Sequence, residues 1–213
     1  MILFLEDKET RESRIDISNE NIDVFIGYSK CEQQLNDFIK NNEIFNKYDI
    51  IIIHESINFK KDTDIIHKIK GYCKNNAKKL VIFSGNNSQP SLSNNTLTIT
   101  AKSLYSNIKI FLENYKNNQS NILMLAYGEH WRLNILLNIL EKINMFIENL
   151  EETENITFNR FKKDYIFKIK PIMTNEEYNN LFGNEKIGSK IDLSQIKIFR
   201  DNLKQLIQDK VNE

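Results

Sequence analysis

The residues best placed to do chemistry are His54, Glu55 and Ser56, which close the stretch YDIIIIHES at residues 48–56. Four consecutive isoleucines between polar residues describe a strand buried on both faces, because a central parallel strand has no solvent side on which to alternate. In open α/β sheets ligands and chemistry collect at the carboxyl ends of the strands, which puts these three residues at the mouth of any site. The imidazole of His54 can take a phosphoryl group on nitrogen. The other histidines are His67 and His130, and there is neither a His-x-x-x-His pair nor a Cys/His cluster. Zinc catalysis therefore has no support, and no metal or cofactor is expected. Cys31 and Cys73 fall in expected helices without ligand spacing and read as small buried hydrophobes.

The elements that must position these residues alternate strand with helix. Residues 1–5 form an apolar strand ending in the acidic pair Glu6-Asp7, and the polar stretch 8–21 shows little apolar periodicity. Residues 22–28 read as a second strand. A helix follows, capped at Ser29, with Cys31, Leu35, Phe38 and Ile39 inward. After the isoleucine strand, Asp62 or Asp64 opens a helix carrying Ile65, Ile66, Ile69 and Tyr72 or Cys73 on one face. Residues 79–84, KLVIFS, are a fourth strand and 96–101, TLTITA, a fifth; between them, 85–95 reads as a Ser/Asn/Pro loop. Leu104, Ile108, Phe111, Leu112 and Tyr115 mark the closing helix. Strands separated by helices predict a parallel, helix-covered sheet.

On these residues the segment 1–116 resembles a response-regulator receiver domain, the five-stranded flavodoxin-like module of two-component signalling. Glu6 and Asp7 match the acidic pair that holds Mg²⁺ in that family. Ser84 in VIFSG matches its switch hydroxyl, and Lys102 in TAKSLY its phosphate-contacting lysine. The resemblance implies a site in which carboxylate-bound Mg²⁺, an ammonium and a hydroxyl neutralise a phosphoryl group from converging strand ends. The departure falls at the centre: His54 stands where the family has its phosphoacceptor Asp. An imidazole forms no acyl phosphate and supplies no third carboxylate. The first and fourth helices of the family are also missing from 8–21 and 85–95. The expectation is a pseudo-receiver, with the fold kept and a degenerate phosphoacceptor pocket at Glu6, Asp7, His54, Ser84 and Lys102.

Residues 117–121, NNQSN, read as a linker to a small α+β domain at 122–213. From Trp131 apolar residues recur at three- and four-residue steps to Leu150, with Ile135, Ile139 and Phe146 widening the stripe. Glu151 to Asn155 reads as a turn, and 156–172 alternates well enough for a hairpin of two short strands about Lys162-Lys163-Asp164. Thr174-x-x-Glu177 is a capping box for a short helix that Gly183 ends, and Asp192-x-x-Gln195 caps a last helix with a seam of Leu193, Ile196, Phe199, Leu203 and Leu206. So wide an apolar face predicts an interface at Trp131, Ile135, Ile139 and Phe146, with a homodimer or a protein partner.

Lys plus Arg balance Asp plus Glu at 29 each across the 213 residues. No net field draws the chain to nucleic acid or membrane, so nucleic-acid binding is disfavoured. The opening MILFLEDKE lacks the features of a signal peptide, and no apolar run reaches the roughly 18–20 residues that span a bilayer, so a soluble, cytoplasmic protein is expected. The function expected is non-enzymatic: regulation or scaffolding through protein contacts of the pseudo-receiver. The alternatives are phosphotransfer through His54 or His130, and a DNA-binding response regulator with its output module at 122–213.

Overall fold

The isoleucine run forms the centre of a sheet whose order follows from burial. The structure, a computed structural model, describes residues 1–14, 20–57, 64–85, 89–149, 156–181 and 190–212. Within them the chain divides into two compact units, Met1–Glu129 and His130–Glu213. The stretch expected as a linker, 117–121, falls inside the first.

The first unit runs β1 (Ile2–Glu6), a 3-10 turn (Glu9–Arg14), β2 (Ile22–Ile26), α1 (Tyr28–Lys40), a 3-10 turn (Asn42–Phe45), β3 (Ile50–His54), α2 (Ile65–Asn75), β4 (Lys79–Ser84), β5 (Ser91–Ser93), β6 (Thr96–Thr100), α3 (Ala101–Lys116) and α4 (Met124–Tyr127). The strands order as β2-β1-β3-β4-β6-β5, and all neighbours are parallel except β5 and β6. This is a mostly parallel sheet with flanking helices, a flavodoxin-like architecture in general terms. The expected helix start at Asp62 lies outside the described residues.

Side chains alternate across the strands, so each strand serves two cores. Leu3, Leu5, Ile51, Ile53, Leu80 and Ile82 pack with Cys31, Leu35 and Phe38 of α1 and Ile65, Ile69 and Cys73 of α2. The opposite positions, among them Phe4, Ile52 and Phe83, are equally buried, as are Leu104, Ile108, Phe111 and Leu112 of α3. The expected inward residue Ile39 is instead 45% exposed, and Gly27, not Ser29, is the α1 N-cap. Gly27 has φ +99°, a conformation that favours glycine, and a Cβ there would also displace the Glu9 side chain, whose Oε1 it would meet at 2.7 Å.

The sheet departs from the five strands expected at its edge. Part of the segment read as a loop is β5, which pairs antiparallel with β6 from Ser91↔Thr98 to Ser93↔Thr96 across the two-residue turn Asn94-Asn95. Both asparagines have positive φ, 46° and 64°. That is the turn whose twist matches paired strands, and asparagine tolerates it. β5 also solves a topological problem: it carries the chain back down the sheet, so β4 and β6 lie side by side without a crossover helix.

The second unit runs α5 (Trp131–Glu148), β7 (Ile156–Thr157), α6 (Phe158–Phe161), a π turn (Lys162–Ile166), α7 (Phe167–Ile169), a 3-10 turn (Lys170–Ile172), α8 (Asn175–Asn180), β8 (Lys190–Ile191) and α9 (Leu193–Asn212). The hairpin expected over 156–172 is therefore wrong beyond Thr157. Buried Phe161, Ile166 and Ile169 recur at five- and three-residue steps, which one side of an irregular helix satisfies and a strand does not. β7 pairs instead with β8. Both capping boxes form: Thr174 and Glu177 exchange hydrogen bonds of 3.1 and 2.7 Å, Asp192 and Gln195 of 2.9 and 3.3 Å. The expected turn at 151–155 and helix stop at Gly183 lie outside the described residues.

α5 packs along α9, whose buried seam is Ile196, Phe199, Leu203 and Ile207. Ile135 and Ile139, expected to await a partner, are 8% and 2% exposed within the single chain. Phe146 stacks near Tyr165 at 5.8 Å between ring centroids, and half-buried Trp131 lies under the Arg132 guanidinium. The exposed apolar residues of α5 are Leu137 and Met145, separated by Glu141. The expected apolar face is present, and its Ile135 and Ile139 are covered within the chain, where α5 packs along α9 and Phe146 lies against Tyr165.

The two faces of α5 make opposite predictions. Ile139→Asp buries a carboxylate and should destabilise the second unit by several kcal/mol. Met145→Asp, at a position 57% exposed, should change stability by no more than about 0.5 kcal/mol. Urea unfolding followed by circular dichroism separates them, and equal tolerance of both would show that Ile139 is not in a core.

Candidate functional site

At the carboxyl ends of β1 and β3 the buried face turns polar. Glu6 continues the Phe4 side of β1 and His54 the Ile52 side of β3, so both point toward α3. Glu6 is completely buried. Arg11, from the 3-10 turn, donates from Nη1 to Glu6 Oε1 at 3.2 Å and Oε2 at 3.0 Å. The Tyr105 hydroxyl of α3 donates to Oε2 at 2.5 Å, and the Lys8 backbone N–H to Oε1 at 3.0 Å. A buried carboxylate is tolerable only when so compensated. The same contact raises the Arg11 guanidinium above its ordinary value against the effect of its burial. Burial first, then Glu6, pushes the Tyr105 phenol up.

Beside this pair sits His54, 4% exposed, with its ring edge-on to Phe83 at 4.9 Å. The Ser56 backbone N–H donates to Nδ1 at 3.2 Å. The Ser56 hydroxyl lies 2.7 Å from the same nitrogen and donates to Asp7 Oδ2 at 2.9 Å. Asp7 Oδ1 is 3.2 Å from Nδ1. Two influences on the imidazole conflict: burial lowers its pKa, while Glu6 and Asp7 raise it. Burial prevails, so the imidazole holds a second proton less readily than an ordinary histidine. Nε2 of His54 and Asp7 Oδ1 are buried without a hydrogen-bond partner among the described residues.

The arrangement constrains the chemistry. Ser56, His54 and Asp7 are adjacent, yet Ser56 and Asp7 both address Nδ1, whereas a relay needs one partner on each ring nitrogen. Glu6, Asp7 and His54 can bring three ligand atoms within 4.8 Å of one another. The Mg²⁺ that the receiver resemblance implies does not fit this set. Both Glu6 oxygens are committed, the cation beside them is Arg11, and His54 is a nitrogen ligand where Mg²⁺ prefers oxygen.

Of the residues singled out from sequence, Glu6, Asp7, His54 and Ser56 meet, while Glu55 is exposed. Ser84 ends β4 buried, but on the strand side shared with Ile82, opposite the Phe83 side that faces His54. Lys102 lies exposed in the first turn of α3. It lines an open cleft of about 460 Å³ with Arg11, Gly85, Thr100, Ala101, Tyr105 and Ser106. His130 is exposed at the N-cap of α5. Sequence reasoning missed Arg11 and Tyr105. Arg11 lies in a polar stretch with no period to flag it, and Tyr105 sits next to core Leu104 in a helix explained by packing alone.

Comparison with known proteins finds no matching family, no matching curated protein and no matching solved structure. What stands is the class: an α/β protein with a mostly parallel, flavodoxin-like sheet and a polar cluster at its carboxyl edge. Among the described residues no helix is long and apolar enough to cross a membrane.

Two predictions test this geometry. Arg11→Ala leaves the buried Glu6 charge without its cation and should cost about 3–5 kcal/mol of unfolding free energy, part of which Glu6→Gln should restore in the same background. Additive losses in a urea double-mutant cycle would show the pair to be uncoupled. The second concerns pH. With its folded pKa below the unfolded value of about 6.5, His54 takes up its proton more readily when unfolded, so its stabilisation is complete above that value. It is lost as pH falls from there through the folded pKa. The urea midpoint should therefore drop between about pH 7 and 5 by more in the natural chain than in His54→Gln. Parallel curves would show that His54 titrates as a solvated residue.

Proposed function

We propose that this chain is a non-enzymatic regulatory or scaffolding protein whose first unit is a pseudo-receiver presenting a fixed surface to a protein partner. The observation that carries this reading is the state of Glu6. In a working receiver the acidic pair must accept Mg²⁺ and share it with an incoming phosphoryl group. Here Arg11 and Tyr105 already neutralise Glu6 from within the chain. Two further features support the same reading. His54, at the acceptor position, is buried with its Nδ1 occupied by Ser56. The hydroxyl matched to the switch residue, Ser84, faces away from it.

Phosphotransfer through His54 is poorly served by this arrangement, because a phosphoryl donor reaches neither ring nitrogen without opening the cluster. Incubation with acetyl phosphate and Mg²⁺, followed by intact mass measurement, tests the proposal. No phosphoryl adduct and no Mg²⁺-dependent rise in melting temperature are expected. A phosphoryl adduct on His54 or Asp7 would overturn it, and one on His130 would move the activity to the second unit.

A further inference from the structure

We propose that the cleft beside the cluster binds, without covalent reaction, the phosphate of a small phosphorylated molecule. The cleft is distinct from the degenerate acceptor position, since Asp7, His54 and Ser84 do not line it. Its volume, about 460 Å³, lies in the range of small-molecule sites. Among the described residues the lining carries two cations, Arg11 and Lys102, and no carboxylate. That imbalance is local, because acids and bases are equal in number over the whole chain.

The cations differ in what they have left to give. Arg11 spends part of its charge on Glu6, which also fixes the guanidinium in place before any ligand arrives. A fixed donor loses little freedom on binding. Lys102 has no hydrogen-bond or ion-pair partner among the described residues, so its ammonium is the unspent charge. Ser106 likewise has no protein partner among them and adds a hydroxyl donor one turn further along α3. The Thr100 hydroxyl is occupied as the helix cap, accepting from the Ser103 N–H at 3.0 Å, and the Tyr105 hydroxyl is given to Glu6. What Tyr105 and Ala101 offer is carbon surface. A ligand matched to this lining is a dianion at Lys102 and Arg11 carrying an organic group over Tyr105.

The test uses the full chain and three probes at low ionic strength: inorganic phosphate, adenosine 5′-monophosphate and adenosine, each titrated calorimetrically. Both phosphate-bearing probes should bind and adenosine should not, and Lys102→Ala should weaken binding about tenfold or more. Lys102 is exposed, so this variant should fold. Tighter binding of the monophosphate than of inorganic phosphate assigns a phosphorylated organic ligand; equal binding assigns the free anion. Absence of heat with either phosphate probe at about 10 mM, adenosine binding as well as its monophosphate, or an affinity indifferent to Lys102→Ala would overturn the inference. These outcomes leave the scaffold reading untouched, which fails instead on a covalent adduct.

Discussion

One buried charge sets the terms for the first unit. Glu6 ends a strand whose other residues are apolar and fully covered, so its carboxylate has no access to water. Leaving such a group uncompensated would cost more than a domain of this size has to spare. The compensation comes from two separated parts of the chain: Arg11 and the Lys8 N–H from the segment after β1, and Tyr105 from α3. The 3-10 turn Glu9–Arg14 is thereby tied to the core by an ion pair.

The two faces of the sheet are finished in different ways. On the α3 side the Glu6–Arg11 pair anchors a short 3-10 turn. The other face ends at β6, where Thr-Leu-Thr-Ile-Thr alternates. Leu97 and Ile99 are fully buried while Thr96, Thr98 and Thr100 are half-buried, so the strand needs a helix on one face only. β5 supplies the return path, and its three residues are all exposed. A short exposed edge with serines at both ends is a poor template for further strand pairing.

How much of this was legible depended on which kind of signal carried it. Continuous apolar runs and period-two alternation located the five parallel strands, and three- and four-residue steps located α1, α2, α3, α5 and α9, because burial leaves a trace in residue type. The alternation at β6 was in plain view, and it marks a strand covered by a helix on one face only. β5 was hidden because its strand character comes from Asn94 and Asn95 in positive φ, which a polar loop resembles. The hairpin read over 156–172 failed since aromatic and aliphatic residues at mixed spacing fit a strand and an irregular helix equally well until Phe161 and Phe199 are seen to meet at 5.2 Å. The acidic pair and His54 were found by position at strand ends. Arg11 was not, because long-range ion pairs have no period.

The kind of cation matters to what the cluster can do. A switch needs two states close enough in free energy for a ligand or a modification to choose between them. A carboxylate pair awaiting Mg²⁺ is such an element, since its charge is unbalanced until the ion and the phosphoryl group arrive. Arg11 cannot diffuse away, cannot lose its proton at any physiological pH, and holds Glu6 through two contacts at once. Tyr105 reinforces it from α3. Breaking that arrangement strands a buried charge, at a cost of about 3–5 kcal/mol that a ligand would have to offset before the cluster could switch. The tethered cation therefore favours one conformation of this sheet edge over any pair of them.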